Sequence, residues 1–323
     1  MNLFANVVRS KLLQTTAIAA VASLPGVANA QLVRQSDLNS AIDSANNGGQ
    51  LTVTDTSANQ TDMQVNAQVV VAEWSSFNIG NNDTVNVTID PLLGLTEATL
   101  FNRVIGSAST IRGDLNAAGI NFWLINQNGV FFGDGAAINA KSFFASTLNV
   151  TDDDVFDFYL GTDDALNGTN TISFVGGTPG EIGNSGPPTA PSFTTDGTLM
   201  FVGDELDLTG SFDAGTGQVV FVSASDIDVT FDPGSPISYQ INAGSTVAGT
   251  RRVTGSITGA GAEFAMFTDV MAVNSLLVDA TIDVTTAVST DRGVLLRAEG
   301  TGTGLPSITV NEAINSQPGT GGA

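Results

Sequence analysis

Thr198-Leu-Met-Phe-Val202, Gln218-Val-Val-Phe-Val222, Glu263-Phe-Ala-Met-Phe267 and Gly293-Val-Leu-Leu-Arg297 are four renderings of one apolar strand pattern in a 323-residue chain. Short runs of β-branched, aromatic and aliphatic residues bounded by Gly and Asp are the composition of buried strands. The four starts lie 20, 45 and 30 residues apart, and a second short run follows each: Leu206–Leu208, Ile227–Val229, Ile282–Val284 and Ile308–Val310. A strand pattern that returns every 20–25 residues or so, with insertions, predicts coils stacked on one another as in a solenoid. A β-sandwich would instead favour even strand spacing and tight two-residue hairpins. Like residues in successive coils then stack inside, which suits a chain holding 18 Phe against two Trp and two Tyr.

Upstream the same grammar continues. Val69–Ala72, Phe77–Ile79, Val85–Ile89, Phe122–Ile125, Val130–Phe132 and Ser142–Ser146 read as strands. Gly80-Asn81-Asn82-Asp83, Asn126-Gln127-Asn128-Gly129 and Gly133-Asp134-Gly135 read as the turns between them. Helical periodicity is confined to a weak pattern over Ser36–Ala45, and Thr96–Phe101 is ambiguous. The expected fold is all-β, a parallel β-helix that begins near Gln50.

Composition excludes several chemistries. The chain has no His and no Cys, so it offers no Ser-His-Asp triad, no thiolate nucleophile, no disulfide and no ordinary zinc site. With 10 basic against 32 acidic residues its net charge is −22, which repels nucleic acid and anionic membranes. No cofactor, metal or haem is expected, and no nucleic-acid partner.

The first thirty residues read as a secretory signal. Arg9 and Lys11 form a basic start, Leu12–Leu24 is apolar, and Pro25-Gly26 breaks the run ahead of Ala28-Asn29-Ala30. That pattern predicts cleavage between Ala30 and Gln31. The apolar run is shorter than the roughly 20 residues a bilayer span needs, and no later stretch reaches it. No integral membrane segment is expected.

Two groups of residues invite a chemical reading. Asp152-Asp153-Asp154, Asp157 and Asp163-Asp164 could offer oxygen ligands to Ca²⁺, but the spacing of an EF-hand or of the glycine-aspartate β-roll repeat is missing, and a solvated loop accounts for them. Asp226 and Asp228 near Arg251-Arg252, and Asp291 near Arg292 and Arg297, could serve a polysaccharide-processing β-helix enzyme. Such an enzyme needs carboxylates about 5 to 9 Å apart across a glycosidic bond, which spacing alone does not establish. The Asn-x-Thr sequons at Asn59 and Asn86 mean little if the source is bacterial.

The stretch Phe77–Val150, with Trp74 just before it, resembles the secretion domain of two-partner secretion exoproteins, the filamentous-haemagglutinin N-terminal family. Trp74-Ser-Ser-Phe-Asn-Ile-Gly80, Phe101-Asn-Arg-Val-Ile-Gly106 and Ser109-Thr-Ile-Arg-Gly-Asp-Leu115 follow the family's motifs in order. So do Phe122-Trp-Leu-Ile-Asn-Gln-Asn-Gly-Val-Phe-Phe-Gly133, Gly135-Ala-Ala-Ile-Asn139 and Ala145-Ser-Thr-Leu-Asn149. Ordered blocks over about 75 residues are far more specific than one short motif. Gln127 departs from the family's Asn-Pro-Asn-Gly, removing a proline that would preset φ. A counterpart of the Asn-Pro-Asn-Leu motif seen in some members is not evident.

The resemblance implies a right-handed parallel β-helix with an N-terminal cap and small antiparallel extra-helical strands. It implies a signal peptide over 1–30, a secretion domain over 31–247 and further coils over 248–323. The expected partner is a cognate outer-membrane pore with periplasmic polypeptide-transport-associated domains, reached through the periplasm, and the product is secreted or held at the bacterial surface. Asn126, Gln127, Asn128 and Gly129, with Asn102 and Arg103, are the expected recognition residues. The implied role outside is adhesin- or haemagglutinin-like, non-enzymatic interaction with a host or neighbouring cell surface. The polysaccharide-processing enzyme is the alternative.

Overall fold

The computed structural model describes residue 36 and residues 50–133, 135–150, 171–176, 180–185, 190–230, 238–268, 274–284, 293–300 and 306–315. The signal segment and the Asp152–Asp164 stretch lie outside them, as do Asp291, Arg292 and all of Ser36–Ala45 beyond its first residue.

The described chain is built of strands. They are β1 (Leu51–Ser57), β2 (Gln60–Val65), β3 (Val69–Trp74), β4 (Thr84–Ile89), β5 (Ala98–Val104), β6 (Ser109–Ile111), β7 (Asp114–Ile125) and β8 (Val130–Phe132). Then come β9 (Ala137–Ser146), β10 (Asn149–Val150), β11 (Thr171–Val175), β12 (Glu181–Asn184), β13 (Ser192–Thr195), β14 (Leu199–Gly203), β15 (Glu205–Asp213) and β16 (Gln218–Ser223). The last are β17 (Asp226–Thr230), β18 (Ser238–Ala243), β19 (Thr250–Thr258), β20 (Gly261–Thr268), β21 (Ser275–Asp283), β22 (Val294–Gly300), β23 (Ser307–Val310) and β24 (Ile314–Asn315). Thr96–Phe101 thus resolves as strand from Ala98 onward, and Phe77–Ile79 shrinks to a single bridge, Ile79 to Ile111.

Pairing arranges these strands into three stacked faces. One face runs β2, β4, β7, β9, β13, β15, β19, β21, β24. The next runs β3, β5, β7, β9, β14, β16, β20, β22. A third runs β6, β8, β12, β15, β19, β21, β23. All these pairs are parallel, and β7, β9, β15, β19 and β21 are long enough to turn a corner and serve two faces. The result is a parallel β-helix, right-handed as parallel crossovers are. Its start is capped by the antiparallel pair β1–β2. A separate antiparallel sheet, β10-β11-β17-β18, packs on the outside of the second face.

The inner rows explain the repeat. Phe143, Leu199, Val219, Ala262 and Val294 align, and beside them Ala145, Phe201, Phe221, Phe264 and Leu296. Phe201 stacks on Phe221 at 5.2 Å and 9°, and Phe221 on Phe264 at 5.2 Å and 17°. The first face adds Phe193 on Phe212 at 5.1 Å and 8°. Rungs about 4.8 Å apart place identical rings in offset contact, and each fully buried Phe contributes about 1.5–3 kcal/mol.

Two sequence readings need correction. The four repeats do stack, and the first, second and fourth align as matched in sequence, but Gln218 pairs with Gly261 and Glu263 with Leu295, so the third sits two residues away from the sequence match. A slip of two keeps every side chain on its proper face, which is why the apolar pattern alone could not fix it. Ile227–Val229 belongs to β17 of the antiparallel sheet, not to a coil. The long gap between the second and third repeats is the excursion through β17 and β18.

Candidate functional site

Asn126–Gly129 is the corner between β7 and β8. The Asn126 side chain is fully buried, its Oδ1 accepts from Asn128 N at 2.9 Å, and its Nδ2 donates to Ser107 O at 2.9 Å and Ser109 Oγ at 3.0 Å. Its carbonyl accepts from Gly129 N at 3.1 Å, closing a β-turn. Gly129 has φ of 116°, a region closed to most L-residues, and a Cβ there would lie 2.7 Å from the Phe131 ring. Asn126 and Gly129 are therefore turned inward as turn architecture. Gln127 and Asn128 point outward, and Asn128 Nδ2 donates to Gly106 O.

The Phe101–Gly106 motif divides the same way. Asn102 stands in an inner row between Ala72 and Leu124, fully buried. It accepts from Trp74 Nε1 at 2.9 Å and donates to Trp123 O at 3.0 Å. A polar side chain in that row is tolerated because its bonds satisfy a buried indole and a buried carbonyl. Arg103, on the outer side, meets its in-register neighbour Glu73 at 2.6 Å. Ile105 is 57% exposed, with its backbone N–H tied to Trp74 O at 3.0 Å.

Arg103, Ile105, Ile125, Gln127, Asn128 and Asn149 line one shallow cleft of about 240 Å³. The structure thus gathers Arg103, Gln127 and Asn128 at one surface and leaves Asn102 beneath it. Sequence reasoning missed Glu73, Ile105 and Asn149. Glu73 was detectable, since opposite charges one rung apart mark an outward pair. Next to the turn, Glu181 of β12 stacks in register on Glu205. Burial, then the Glu205 and Asp207 charges, holds its carboxyl above the ordinary glutamate range.

Among the described residues the enzyme-like groups do not converge, and Asp291 and Arg292 lie outside them. Asp226 and Asp228 both accept from Asn242 Nδ2, at 3.2 and 3.0 Å, on the antiparallel sheet. The Arg251 guanidinium is buried among Ser223, Asp204, Ser245, Val247 and Gly249, while Arg252 reaches Asp207 only at 4.0 Å in an exposed pair. Arg297 pairs with Glu299 at 2.8 Å and lies over the Phe267 ring. Among the described residues no group of three or more Asp and Glu is placed to hold a metal ion, and no helix is long and apolar enough to cross a membrane.

Residues 37–265 match the TPS secretion domain family. The chain belongs to that family. In structure it resembles the secretion domain of HMW1 from Haemophilus influenzae, with a TM-score of 0.52 and 18% identity over 83% of this chain and 71% of that one. A filamentous hemagglutinin secretion domain aligns with a TM-score of 0.47 and 15% identity, over 82% of this chain and 98% of that one. In sequence, a heme/hemopexin-binding protein of Haemophilus influenzae is 33% identical over 103 residues, 32% of this chain and 11% of the relative. The matched segments span about a tenth of the length of these relatives. The chain therefore carries the secretion domain of a two-partner secretion exoprotein, folded as a parallel β-helix.

Proposed function

We propose that this TPS domain directs the chain through a cognate outer-membrane pore, and that the partner reads the surface formed by Gln127, Asn128 and Arg103. The observation that supports this reading is the split within the turn. Asn126 and Gly129 are used up in shaping it, whereas Gln127 and Asn128 face a cleft shared with Arg103. Among the described residues the turn's own bonds reach residues 106–109 in the coil before and Ser146 in the coil after, so the coils through β9 suffice to form it. A partner could therefore read it on a chain whose later coils are still unfolded. Asn126 and Gly129 then act by shaping the turn, and Asn102 by tying Trp74 of the coil before it to Trp123 of the coil after it.

Residues 1–30 serve as the export signal, cleaved between Ala30 and Gln31, and residues 31–247 as the exported address. Outside, the protein acts as an adhesin- or haemagglutinin-type surface protein on a host or neighbouring cell. A disulfide-free solenoid suits this route because each coil can fold onto the last as it emerges. The test is co-expression with a cognate outer-membrane pore, measuring extracellular against periplasmic protein. Export that proceeds equally without the pore, or with Gln127, Asn128 and Arg103 all replaced by Ala, would overturn the reading.

A further inference from the structure

Arg251 is 1% exposed, and it points inward from β19. Among the described residues its guanidinium meets only neutral acceptors. Nε donates to Ser223 Oγ at 2.9 Å, Nη1 to Gly249 O at 3.1 Å, and Nη2 to Asp204 O at 2.9 Å, Val247 O at 2.6 Å and Ser245 Oγ. A buried guanidinium is costly unless its donors are satisfied, so this cluster is a constraint the fold maintains deliberately.

Three of those five acceptors lie in one segment, residues 244–250, by which the chain returns from β18 of the outer sheet to the coil. Its remaining fastenings come from elsewhere in the helix. Thr246 N and Oγ1 donate to the Asp204 carboxylate at 3.0 and 3.1 Å, Ser245 N donates to Phe267 O at 2.6 Å, and Gly249 N donates to Asn274 Oδ1 at 2.9 Å. Asp204 and Ser225, which donates from its Oγ to Gly244 O at 2.6 Å, hold the return segment from before the sheet, whereas Arg251, Phe267 and Asn274 come later in the chain than the sheet itself. The sheet covers an outer apolar row, Phe101, Trp123, Phe144, Met200 and Val220.

We infer that Arg251 is a latch: the outer antiparallel sheet closes over this row only once the coil of β19 and β20 has formed and Arg251 has bound the return segment. Before that point the return segment has its bonds to Ser225 and Asp204 but lacks those to Arg251, Phe267 and Asn274, and the sheet is not held down on the row. The folding unit of the secretion domain then extends past residue 247 to include β19 and β20.

Hydrogen exchange on the full mature chain tests this, because it reads the opening of each strand separately. In Arg251→Met, residues 226–230 and 238–243 should exchange at least about tenfold faster while 122–125 and 143–146 keep their parental rates. Arg251→Lys, which keeps the charge but not the fork of donors, should fall between the two. Binding of an apolar dye should rise in parallel. Should Arg251→Met fail to fold, Ser245→Ala removes one acceptor and leaves the guanidinium, and should open the same two strands by a smaller factor. Parental exchange in 226–243, or equal acceleration in every strand, would refute the latch.

Discussion

Three glycines with positive φ give a graded test of how this solenoid is packed. Gly94 has φ of 64° with nothing within 4 Å of a Cβ placed on it. Gly129 has φ of 116°, and its Cβ would meet the Phe131 ring at 2.7 Å and Glu181 O at 3.3 Å. Gly255 has φ of 120°, and its Cβ would lie 2.0 Å from the backbone oxygen of Gly210 in the adjoining coil. Alanine at Gly94 should cost only the backbone strain, about 1 kcal/mol. Alanine at Gly129 adds displacement of a half-buried ring, for about 2–3 kcal/mol. At Gly255 the obstacle is backbone held by parallel pairing on both sides, so two coils must part, and the cost should exceed about 4 kcal/mol. Urea unfolding followed by far-ultraviolet circular dichroism, compared at constant m, ranks the three. If Gly255→Ala is no worse than Gly94→Ala, the close stacking of the coils at that corner is wrong.

Asn102→Ala should cost about 1–3 kcal/mol by leaving the buried Trp74 Nε1 without its Asn102 acceptor, and Trp74→Phe should recover part of it in a double-mutant cycle measured by urea unfolding. Phe221→Ala, in the middle of the Phe201–Phe221–Phe264 stack, should cost about 3–5 kcal/mol, and Phe221→Leu much less. Because the Glu181 pKa is raised in the folded state, that state holds the proton more tightly than the unfolded chain. Glu181 is therefore harmless at a pH below its ordinary range and destabilising as pH rises through and above it. Glu181→Gln should raise the urea midpoint at pH 7 and leave it unchanged near pH 3; an equal gain at both would assign the effect to packing.

Fold class was legible because a coil repeats its inner residues. Phe201 and Phe221 stand at matching places in two sequence repeats and do stack, and Phe264 continues the stack once the third repeat is shifted by two. Register was less legible, since period-two alternation looks the same after a slip of two residues, and Glu263 was matched to Gly293 in place of Leu295. The strand at Ile227–Val229 was misplaced because β17 has the alternation of a coil strand, and only its antiparallel partners reveal that it left the helix. At the candidate site the motif located the right turn but could not sort its residues. Asn102 and Arg103 are adjacent in sequence and face opposite ways, one into the core and one onto the cleft. Neighbours in a strand always do, so a motif read as a string mixes architecture with surface.

That alternation also explains where the outer sheet sits. On the second face the outward row runs Val71, Phe101, Trp123, Phe144, Met200, Val220, Glu263, Leu295. It is apolar through Val220, and there the antiparallel sheet lies over it. It turns polar at Glu263, which accepts from Tyr239 at the sheet's border at 2.6 Å. On the first face the outward row is Asp62, Asn86, Asn116, Asn139, Thr194, Asp213, Thr258, Asp283, Asn315, polar from end to end. Apolar outward residues on one face thus specify a cover, and unbroken polar ones on another specify solvent. The sheet is a second, smaller core added to the coil, and its strands come from two insertions far apart in sequence, β10–β11 and β17–β18. Such a cover cannot assemble until both insertions have been made, which is why a fastening on the C-terminal side, at Arg251, is the place where closure has to be controlled.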